Sequence, residues 1–187
     1  MKMLVTSDEK MLNDVQERLS QFPQKAPNAI SSALNRGVTN MNSNSRKEIR
    51  KDYNIKAGDI SPTLKVFRAS RASLGASVQS KGGVIPLERF KISPKTINPK
   101  RKTPIKAAVK KGGAKSLGSG FVADISGPKV FKRTGESRLP IKRLFGPSVP
   151  QMLENERARE EIQKQGQETF EKRLEHEINR ILEKGRA

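Results

Sequence analysis

The sequence predicts an α+β protein with an N-terminal pair of helices, a small antiparallel β-sheet that carries a basic hairpin, and a long C-terminal helix. Three observations lead to this prediction. Apolar residues recur at helical spacing near both ends, short alternating segments bounded by Gly and Pro fill the middle, and positive charge is concentrated there. We therefore divide the chain into a core of residues 1–147 and a C-terminal helical arm of residues 148–187.

The first 52 residues contain two amphipathic patterns. Thr6 and Glu9 have the spacing of a capping box, and the apolar residues that follow predict a helix over residues 7–21. Pro27 suits the first turn of a second helix, predicted over residues 27–52. We expect the apolar face of this second helix, like that of the C-terminal helix, to form subunit contacts. That face comprises Ile30, Leu34, Val38, Met41, Ile49 and Tyr53.

Short strands are predicted between residues 64 and 145. Residues 64–67 and 72–79 alternate between apolar and polar side chains, as strands with one buried face do. Val130 and Phe131 precede a turn at Gly135, and the following run around Ile141 completes a hairpin. Because proline lacks an N–H group, Pro140 places this second strand at a sheet edge.

The most basic segment spans residues 95–115, where eight cationic side chains occur without an acidic one. It is predicted to form a hairpin whose charged tip, residues 100–102, projects from the core. The chain has a net charge of +19, and residues 81–147 hold 17 basic and 3 acidic groups. Such a concentration is expected to contact a polyanion, although a solvated basic loop is the alternative. The candidate contact residues are Lys95, Lys100, Arg101, Lys102, Lys106, Lys110, Lys111 and Lys115.

A long helix is predicted from Ser148 to Lys184. Ser148 and Gln151 have capping-box spacing, and Pro150 lies in the first turn, where its missing N–H has no cost. Gly166 is the expected hinge of this helix. The near-neutral charge of the arm indicates a protein partner.

The sequence favours a protein without enzymatic activity, cofactor or metal. The single histidine, His176, lies between Glu175 and Glu177, where a solvated side chain is expected. Cysteine is absent, and the glycine-containing segments 112–116 and 118–123 lack the contexts that phosphate-binding and dinucleotide-binding loops require. No apolar run is long enough to predict a membrane span or a signal peptide.

The run RLPIKRLFGPSVPQM, residues 138–152, resembles the signature of the phage minor tail protein Z family. Three further segments resemble the family in the same order along the chain: residues 33–36, 53–60 and 85–90. We expect Leu139, Ile141, Leu144, Phe145 and Met152 to form the centre of the fold. The motif residues are Arg138, Leu139, Pro140, Ile141, Leu144, Gly146, Pro147, Ser148, Pro150 and Gln151.

The resemblance implies a structural virion protein that completes the tail and joins it to the head. It further implies a homo-oligomeric ring, hexameric because such tails have sixfold symmetry, at the head-proximal neck of the virion after assembly in the host cytoplasm. Expected neighbours are the tail terminator, the tail tube and the head–tail connector, with genomic DNA in the lumen and no membrane. The basic surface would then face the DNA channel or acidic neighbours.

Two alternatives remain at this point. A sequence-independent architectural protein that binds nucleic acid would explain the charge but not the long motif. A different neck or tail-terminator protein of the same virion is the weaker alternative.

Overall fold

The computed structural model describes residues 1–186 and confirms the α+β class, with helices at the N-terminus, small antiparallel sheets and a long C-terminal helix. The helices of the described chain are α1 (Glu9–Arg18), α2 (Ala26–Asp52), α3 (Ala57–Ile60), α4 (Val149–Met152) and α5 (Glu156–Arg186). The strands are β1 (Lys2–Val5), β2 (Leu64–Phe67), β3 (Ala76–Ser80), β4 (Val84–Pro86), β5 (Lys91–Ser93), β6 (Lys106–Ala108), β7 (Lys115–Ser116), β8 (Gly120–Asp124), β9 (Pro128–Arg133), β10 (Ile141–Arg143) and β11 (Phe145–Ser148).

The chain forms two compact units, and neither is a continuous stretch of sequence. Of the described residues, unit 1 contains 1–46, 64–81 and 153–186, and unit 2 contains 47–63 and 82–152. The chain therefore passes between the units four times. Helix α2 begins in unit 1, and its last six residues, 47–52, belong to unit 2.

Unit 1 combines a three-stranded antiparallel sheet of order β1-β3-β2 with α1, α5 and most of α2. Alternation along β1 buries Met3 and Val5 and leaves Lys2 and Leu4 exposed. The apolar stripes of the long helices, including Leu34 and Val38 of α2 and Phe170 of α5, are completely buried. The core of unit 1 thus lies between helices and sheet, as in other layered α+β folds.

Close approach of α2 and α5 depends on two glycines. A Cβ atom added at Gly166 would lie 2.2 Å from Cγ of Met41, and one added at Gly37 would lie 2.9 Å from the carbonyl oxygen of Gly166. The predicted role of Gly166 as a hinge is therefore replaced by a packing role, since α5 continues through this residue.

One buried carboxylate joins α5 to α2 in unit 1. The Glu177 side chain is 2% exposed, and its oxygens lie 2.5 Å from Nη2 of Arg173 and 2.5 Å from Nη2 of Arg180. The Ser32 hydroxyl donates a further hydrogen bond to it at 3.0 Å. Burial acts to raise the pKa of Glu177, but the Ser32 hydroxyl and the two guanidinium groups outweigh it and lower this pKa.

Unit 2 is built from three small antiparallel sheets of orders β10-β9-β8, β5-β6-β7 and β11-β4. The predicted hairpin around Gly135 is confirmed, because Ile141 of β10 pairs with Arg133 of β9. Val122 and Val130, which pair across β8 and β9, are buried on one face of the first of these sheets, and Phe131 is buried on the opposite face. Short strands of this kind are stable only when packed on one another, so the sheets support each other within the unit.

The N-terminal region differs from the prediction in two respects. Residues 2–5 form β1, which pairs with β3 in the register Met3 to Val78, whereas no strand was expected there. Helix α1 is capped by Asp8, whose side chain accepts a hydrogen bond of 2.7 Å from the backbone N–H of Met11. The capping box predicted for Thr6 and Glu9 was therefore wrong, because Asp8 provides a cap closer to the first turn.

The helix predicted from Ser148 to Lys184 is interrupted. It consists of the short α4 and of α5, which begins at Glu156. The expectation that the apolar faces of α2 and α5 form subunit contacts was also wrong, since Ile30, Met41 and Ile162 are buried in the protomer itself. A protomer that needs these faces for its own core cannot offer them to a neighbour.

The basic segment also pairs differently from the predicted hairpin of residues 95–115. Strand β6 pairs with β5 on one side and with β7 on the other, in registers that join Ile92 to Ala107 and Ala107 to Lys115. Residues 94–105 form the long connection between β5 and β6. Only Ile105 and Ala107 of the segment are buried, so apolar pairing rather than charge decides which residues form strands.

Replacement of Gly37 by Ala is expected to destabilise the protein by about 1–2 kcal/mol. The added methyl group meets the Gly166 carbonyl oxygen at 2.9 Å and Cβ of Phe170 at 3.0 Å, and the better helix propensity of alanine offsets only part of this overlap. Urea denaturation measures the change. Gly75→Ala in the same unit is the control, since nothing lies within 4 Å of its added Cβ. Equal stability of the two variants would contradict the packing role.

Glu177→Gln is expected to lower the free energy of unfolding at pH 7 by about 1–3 kcal/mol. Since the folded pKa of Glu177 is lowered, its contribution is complete above the ordinary carboxyl pKa and is lost as the pH falls through the lowered value. The difference in melting temperature from wild type should therefore shrink below about pH 4. Exposed Glu160→Gln is the control, and a difference that stays constant with pH would contradict this assignment.

Candidate functional site

An open groove of about 360 Å³ on unit 2 gathers six cationic side chains, and we call it the cationic groove. All six are exposed, and no aspartate, glutamate or histidine lines the groove. Its lining residues are Arg50, Tyr53, Asn54, Ile55, Lys56, Arg89, Phe90, Lys91, Lys95 and Lys111.

One wall of the groove is fixed where the end of α2 meets the segment after β6. The backbone N–H of Asn54 donates to the carbonyl of Val109 at 2.9 Å, and that of Lys111 donates to the carbonyl of Asp52 at 2.7 Å. The Asn54 side chain also donates to the carbonyl of Ala108 at 2.9 Å. These bonds bring residues more than 50 positions apart together and place Lys111 beside Tyr53 and Arg50.

The opposite wall comes from a 3₁₀ turn, Leu87–Arg89, and the start of β5. Phe90, which is 2% exposed, lies between Arg89 and Lys91 and anchors them to the core. Its ring lies directly against Gly146, because a Cβ atom added there would be 2.5 Å from Cε2 of the ring. Glycine is thus the residue that allows this aromatic side chain to lie against the backbone of β11.

The electrostatics of the groove are dominated by unpaired positive charge. Arg89 contacts Asp59 at 3.3 Å, and Lys110 lies 5.8 Å from the centre of the Tyr53 ring, a cation–π distance. Burial, with a smaller contribution from Asp52, raises the pKa of Tyr53, so its hydroxyl keeps its proton and can donate a hydrogen bond. Cations and hydrogen-bond donors together suit an anionic ligand.

A second groove of about 380 Å³ adjoins the first, since Arg89 and Lys95 line both. It adds Lys129, whose Nζ donates to the carbonyl of Ile125 at 2.5 Å, and Arg143, which forms an ion pair with Glu88. The two grooves form a continuous basic surface along unit 2. Arg143 and Glu88 neutralise each other, so the first groove holds most of the unpaired charge.

The structure brings together only part of the predicted contact set. Lys95 and Lys111 line the cationic groove, and Lys110 lies beside it on Tyr53. Arg101 and Lys102 line a different groove along β8, where Arg101 donates to the Thr96 carbonyl at 2.6 Å. The remaining residues, which are exposed and line neither of these grooves, are Lys100, Lys106 and Lys115.

Four cations of the groove were not predicted: Arg50, Lys56, Arg89 and Lys91. Their charge alone could not identify them, because they lie in segments of mixed charge. A signal was nevertheless present, since the family-like segments 53–60 and 85–90 contribute Tyr53, Lys56 and Phe90 to the groove. The location of residues in these family-like segments, rather than the local density of charge, would have indicated the site.

The long motif has a structural role in unit 2. The predicted capping box is confirmed: the Ser148 backbone N–H donates to Oε1 of Gln151 at 2.8 Å, and the Gln151 N–H approaches the Ser148 hydroxyl at 3.4 Å. The expectation that the five apolar motif residues form the centre of the fold was wrong for two of them. Leu139 is 67% exposed and Phe145 46% exposed, whereas Met152 is buried.

The rest of the motif holds neighbouring strands together. Leu144 donates from its N–H to the carbonyl of Val130 at 2.9 Å and accepts from the N–H of Leu87 at 3.1 Å. Gly146 of β11 pairs with Ile85 of β4, and the register shifts before Ser148. Motif residues Arg138 and Pro140 are exposed, while Ile141, Pro147 and Pro150 are half-buried. The motif therefore supports the groove without lining it.

An exposed, cation-lined surface of this kind is typical of proteins that contact another macromolecule. In the described residues 1–186, no group of three or more His, Cys, Asp or Glu side chains is arranged to hold a metal ion. Within the same residues no helix is long and apolar enough to cross a membrane.

The sequence matches the family model of prophage minor tail protein Z over residues 10–184, and the chain belongs to this family. It is thus a phage minor tail protein, a structural component of the virion tail, as the resemblance predicted. Membership of a structural family favours a role without catalysis. No curated protein and no solved structure matches the chain.

Gly146→Ala is expected to destabilise the protein by about 1–3 kcal/mol, because the added Cβ would lie 2.5 Å from Cε2 of the buried Phe90 ring, which would then have to shift. Chemical denaturation measures this loss. Gly113→Ala in the same unit is the control, since nothing lies within 4 Å of its added Cβ. A fully stable Gly146→Ala variant would contradict the tight contact.

Proposed function

We propose that this minor tail protein completes the tail as a ring at its head-proximal end, where its cationic groove faces the DNA that passes through the lumen. The observation that carries this proposal is the groove itself. Six exposed cations from three separate segments line one concave surface that no carboxylate lines. The membership of a phage minor tail family supplies the virion setting.

The chemistry of the groove suits the phosphate backbone better than bases. Phe90 is buried, and Tyr53 is half-buried with Lys110 5.8 Å from its ring centre, so the groove offers little aromatic surface on which a base could stack. Lysine and arginine contacts to phosphate carry no sequence information and weaken steeply with salt. A lumen that conducts a genome needs this kind of attraction, since contacts specific to a sequence would stop the DNA.

The size of the groove supports a ring. A groove of about 360 Å³ can cover only a few phosphates, whereas several copies around a lumen would repeat it as a continuous basic belt. The tail terminator, the tail tube and the head–tail connector are the proposed neighbours. The number of subunits, six, rests on the symmetry that the family resemblance implies.

A nucleic-acid-binding architectural protein is the second candidate. The same groove favours it, because duplex DNA is the general ligand for such a surface. This candidate predicts a monomer that binds DNA and is absent from virions, whereas the ring predicts an oligomer in the particle. An acidic protein ring in place of DNA is a further outcome that the experiment below separates.

The triple variant Lys56→Ala, Lys91→Ala and Lys111→Ala tests the groove, since the three side chains are exposed and form no ion pair within the described residues. Duplex binding is measured by fluorescence anisotropy over a range of salt concentrations. The slope of log K against log salt should decrease by roughly 2–3, since each lost phosphate contact contributes about 0.9. In an infection, the variant should yield fewer particles that retain DNA after the tail joins.

The matched control removes the same charge outside the groove: Lys100→Ala, Lys106→Ala and Lys115→Ala. The slope of log K against log salt should change by less than half as much in this control as in the groove variant. Equal losses of DNA affinity in the two variants would show that net charge, not the groove, attracts DNA. Unchanged DNA affinity with failed tail joining would assign the groove to an acidic neighbouring protein instead.

A further inference from the structure

Unit 1 carries a second cationic pocket, which we call the arginine pocket. It has a volume of about 350 Å³ and lies beside α2, α5 and the residue that follows β2. Its polar lining has no carboxylate of its own. The pocket is lined by Ser32, Asn35, Arg36, Thr39, Arg68 and Arg173.

Hydrogen bonds and an ion pair fix part of the lining of the arginine pocket. The Asn35 side chain donates to the carbonyl of Ala69 at 3.0 Å and accepts from the N–H of the same residue at 2.9 Å, which fixes the backbone next to Arg68. Arg173 is held by the buried Glu177. A preorganised pocket loses little conformational entropy when it binds a partner.

Two of the three arginines form no ion pair among the described side chains. Arg173 shares the Glu177 carboxylate with Arg180, whereas no carboxylate among the described side chains forms an ion pair with Arg36 or Arg68. Both side chains are exposed. Guanidinium groups bind carboxylates in a planar, two-point geometry, so the pocket suits acidic side chains.

The same unit has a groove of opposite charge, which we call the acidic groove. Its volume is about 420 Å³, and it lies between the N-terminal part of α1 and α5. Four carboxylates and a single lysine line it, with an apolar floor of Met11, Leu174 and Ile178. Its charged residues are Asp8, Lys10, Asp14, Glu171 and Glu175.

The two sites lie on different sides of α5. At 100° per residue, Glu171 and Glu175 are each about 160° around the helix from Arg173. Arg18 pairs with two carboxylates of the acidic groove: its two hydrogen bonds of 2.6 and 2.9 Å to Glu175 lower the pKa of Glu175, and it lies 3.4 Å from Asp14. Asp8 and Glu171 form no ion pair among the described side chains and carry the unpaired negative charge of the groove. One protomer therefore presents an acidic groove on one side and an arginine pocket on the other.

We infer that the arginine pocket of one copy binds the acidic groove of the next, head to tail. Complementary charge on opposite sides of one unit is the arrangement that a heterologous contact requires, and repetition of such a contact closes a ring when the rotation between copies permits. The inference rests on the proposed ring and names the surfaces that form it. A chain of charge +19 also needs attractive contacts, since identical copies otherwise repel each other.

A charge-swap experiment on the full chain tests the contact. The basic-side variant is Arg36→Glu with Arg68→Glu, and the acidic-side variant is Asp14→Lys with Glu171→Lys. Each alone should weaken self-association roughly tenfold or more, measured by native mass spectrometry and light scattering, because like charges then face each other. An equimolar mixture of the two variants should form mixed dimers with an affinity near that of wild-type contacts, since each copy retains one native and one reversed surface.

The matched control is Arg71→Glu with Lys172→Glu, two exposed cations of unit 1 that line neither site. It has the same change in charge as the basic-side variant and should assemble as wild type does. An equal loss of self-association in the control would overturn the inference, because the change in net charge would then explain the weaker assembly of the basic-side variant. Circular dichroism verifies that every variant is folded before assembly is compared.

Cross-linking gives a second, independent readout, because the chain contains no cysteine. Thr39→Cys labels the arginine pocket and Lys10→Cys the acidic groove, and neither change removes a carboxylate or an arginine from the sites. A short bis-maleimide should link a mixture of the two proteins into dimers, while either protein alone stays largely unlinked. The doubly labelled chain should give a ladder that ends at the ring size.

The outcomes separate the two proposals. A wild-type protein that is monomeric at high concentration and absent from virions would overturn the ring and this contact together. An oligomer that resists charge reversal, or that cross-links only between identical sites, would overturn the contact and leave the ring in place. Normal self-association with failed incorporation of the basic-side variant would assign the pocket to a different virion protein.

Discussion

The arrangement of unit 2 depends on the contact between the Phe90 ring and the backbone at Gly146. This contact leaves no room for a Cβ atom, so the residues on either side of the ring take up one position relative to β11. Arg89 and Lys91 are consequently displayed at the surface while Phe90 stays in the core. Interiors are packed too densely to let an aromatic ring shift without a cost in stability. The position of the charges is therefore set by an apolar contact, and the electrostatic surface follows from packing.

Local sequence patterns were sufficient to predict the helices and caps that interactions between neighbouring residues determine. Helix α2 was predicted to within one residue because its apolar stripe and Pro27 mark it, and the Ser148–Gln151 cap was correct because a capping box is specified by four residues. The elements that the sequence did not predict depend on partners distant in sequence. Strand β1 exists because β3 pairs with it, and the groove exists because Asn54 bonds to residues 108–110. No pattern within residues 95–115 contains that information, so Arg89 and Lys91 could not be associated with Lys111 in advance.

The scarcity of acidic residues determines the charge of the surface. Several carboxylates are used inside the fold, as Glu177 holds Arg173, Glu48 holds Lys51, and Glu88 holds Arg143. Burial of an unpaired carboxylate would be costly, so each buried one has a cationic partner. With 38 basic and 19 acidic residues, this internal use leaves most of the remaining cations without a partner. The protein keeps a stable interior and yet presents an exterior that attracts negative charge.

The interleaved course of the chain has a consequence for how the protein is made. Unit 1 includes α5, which is translated after its α1 and its sheet. A nascent polypeptide therefore leaves the apolar side of α2 uncovered until α5 has been translated. Products that terminate before α5 retain this uncovered apolar helix and are suitable substrates for chaperones and proteases. Only chains that contain α5 can complete the core of unit 1.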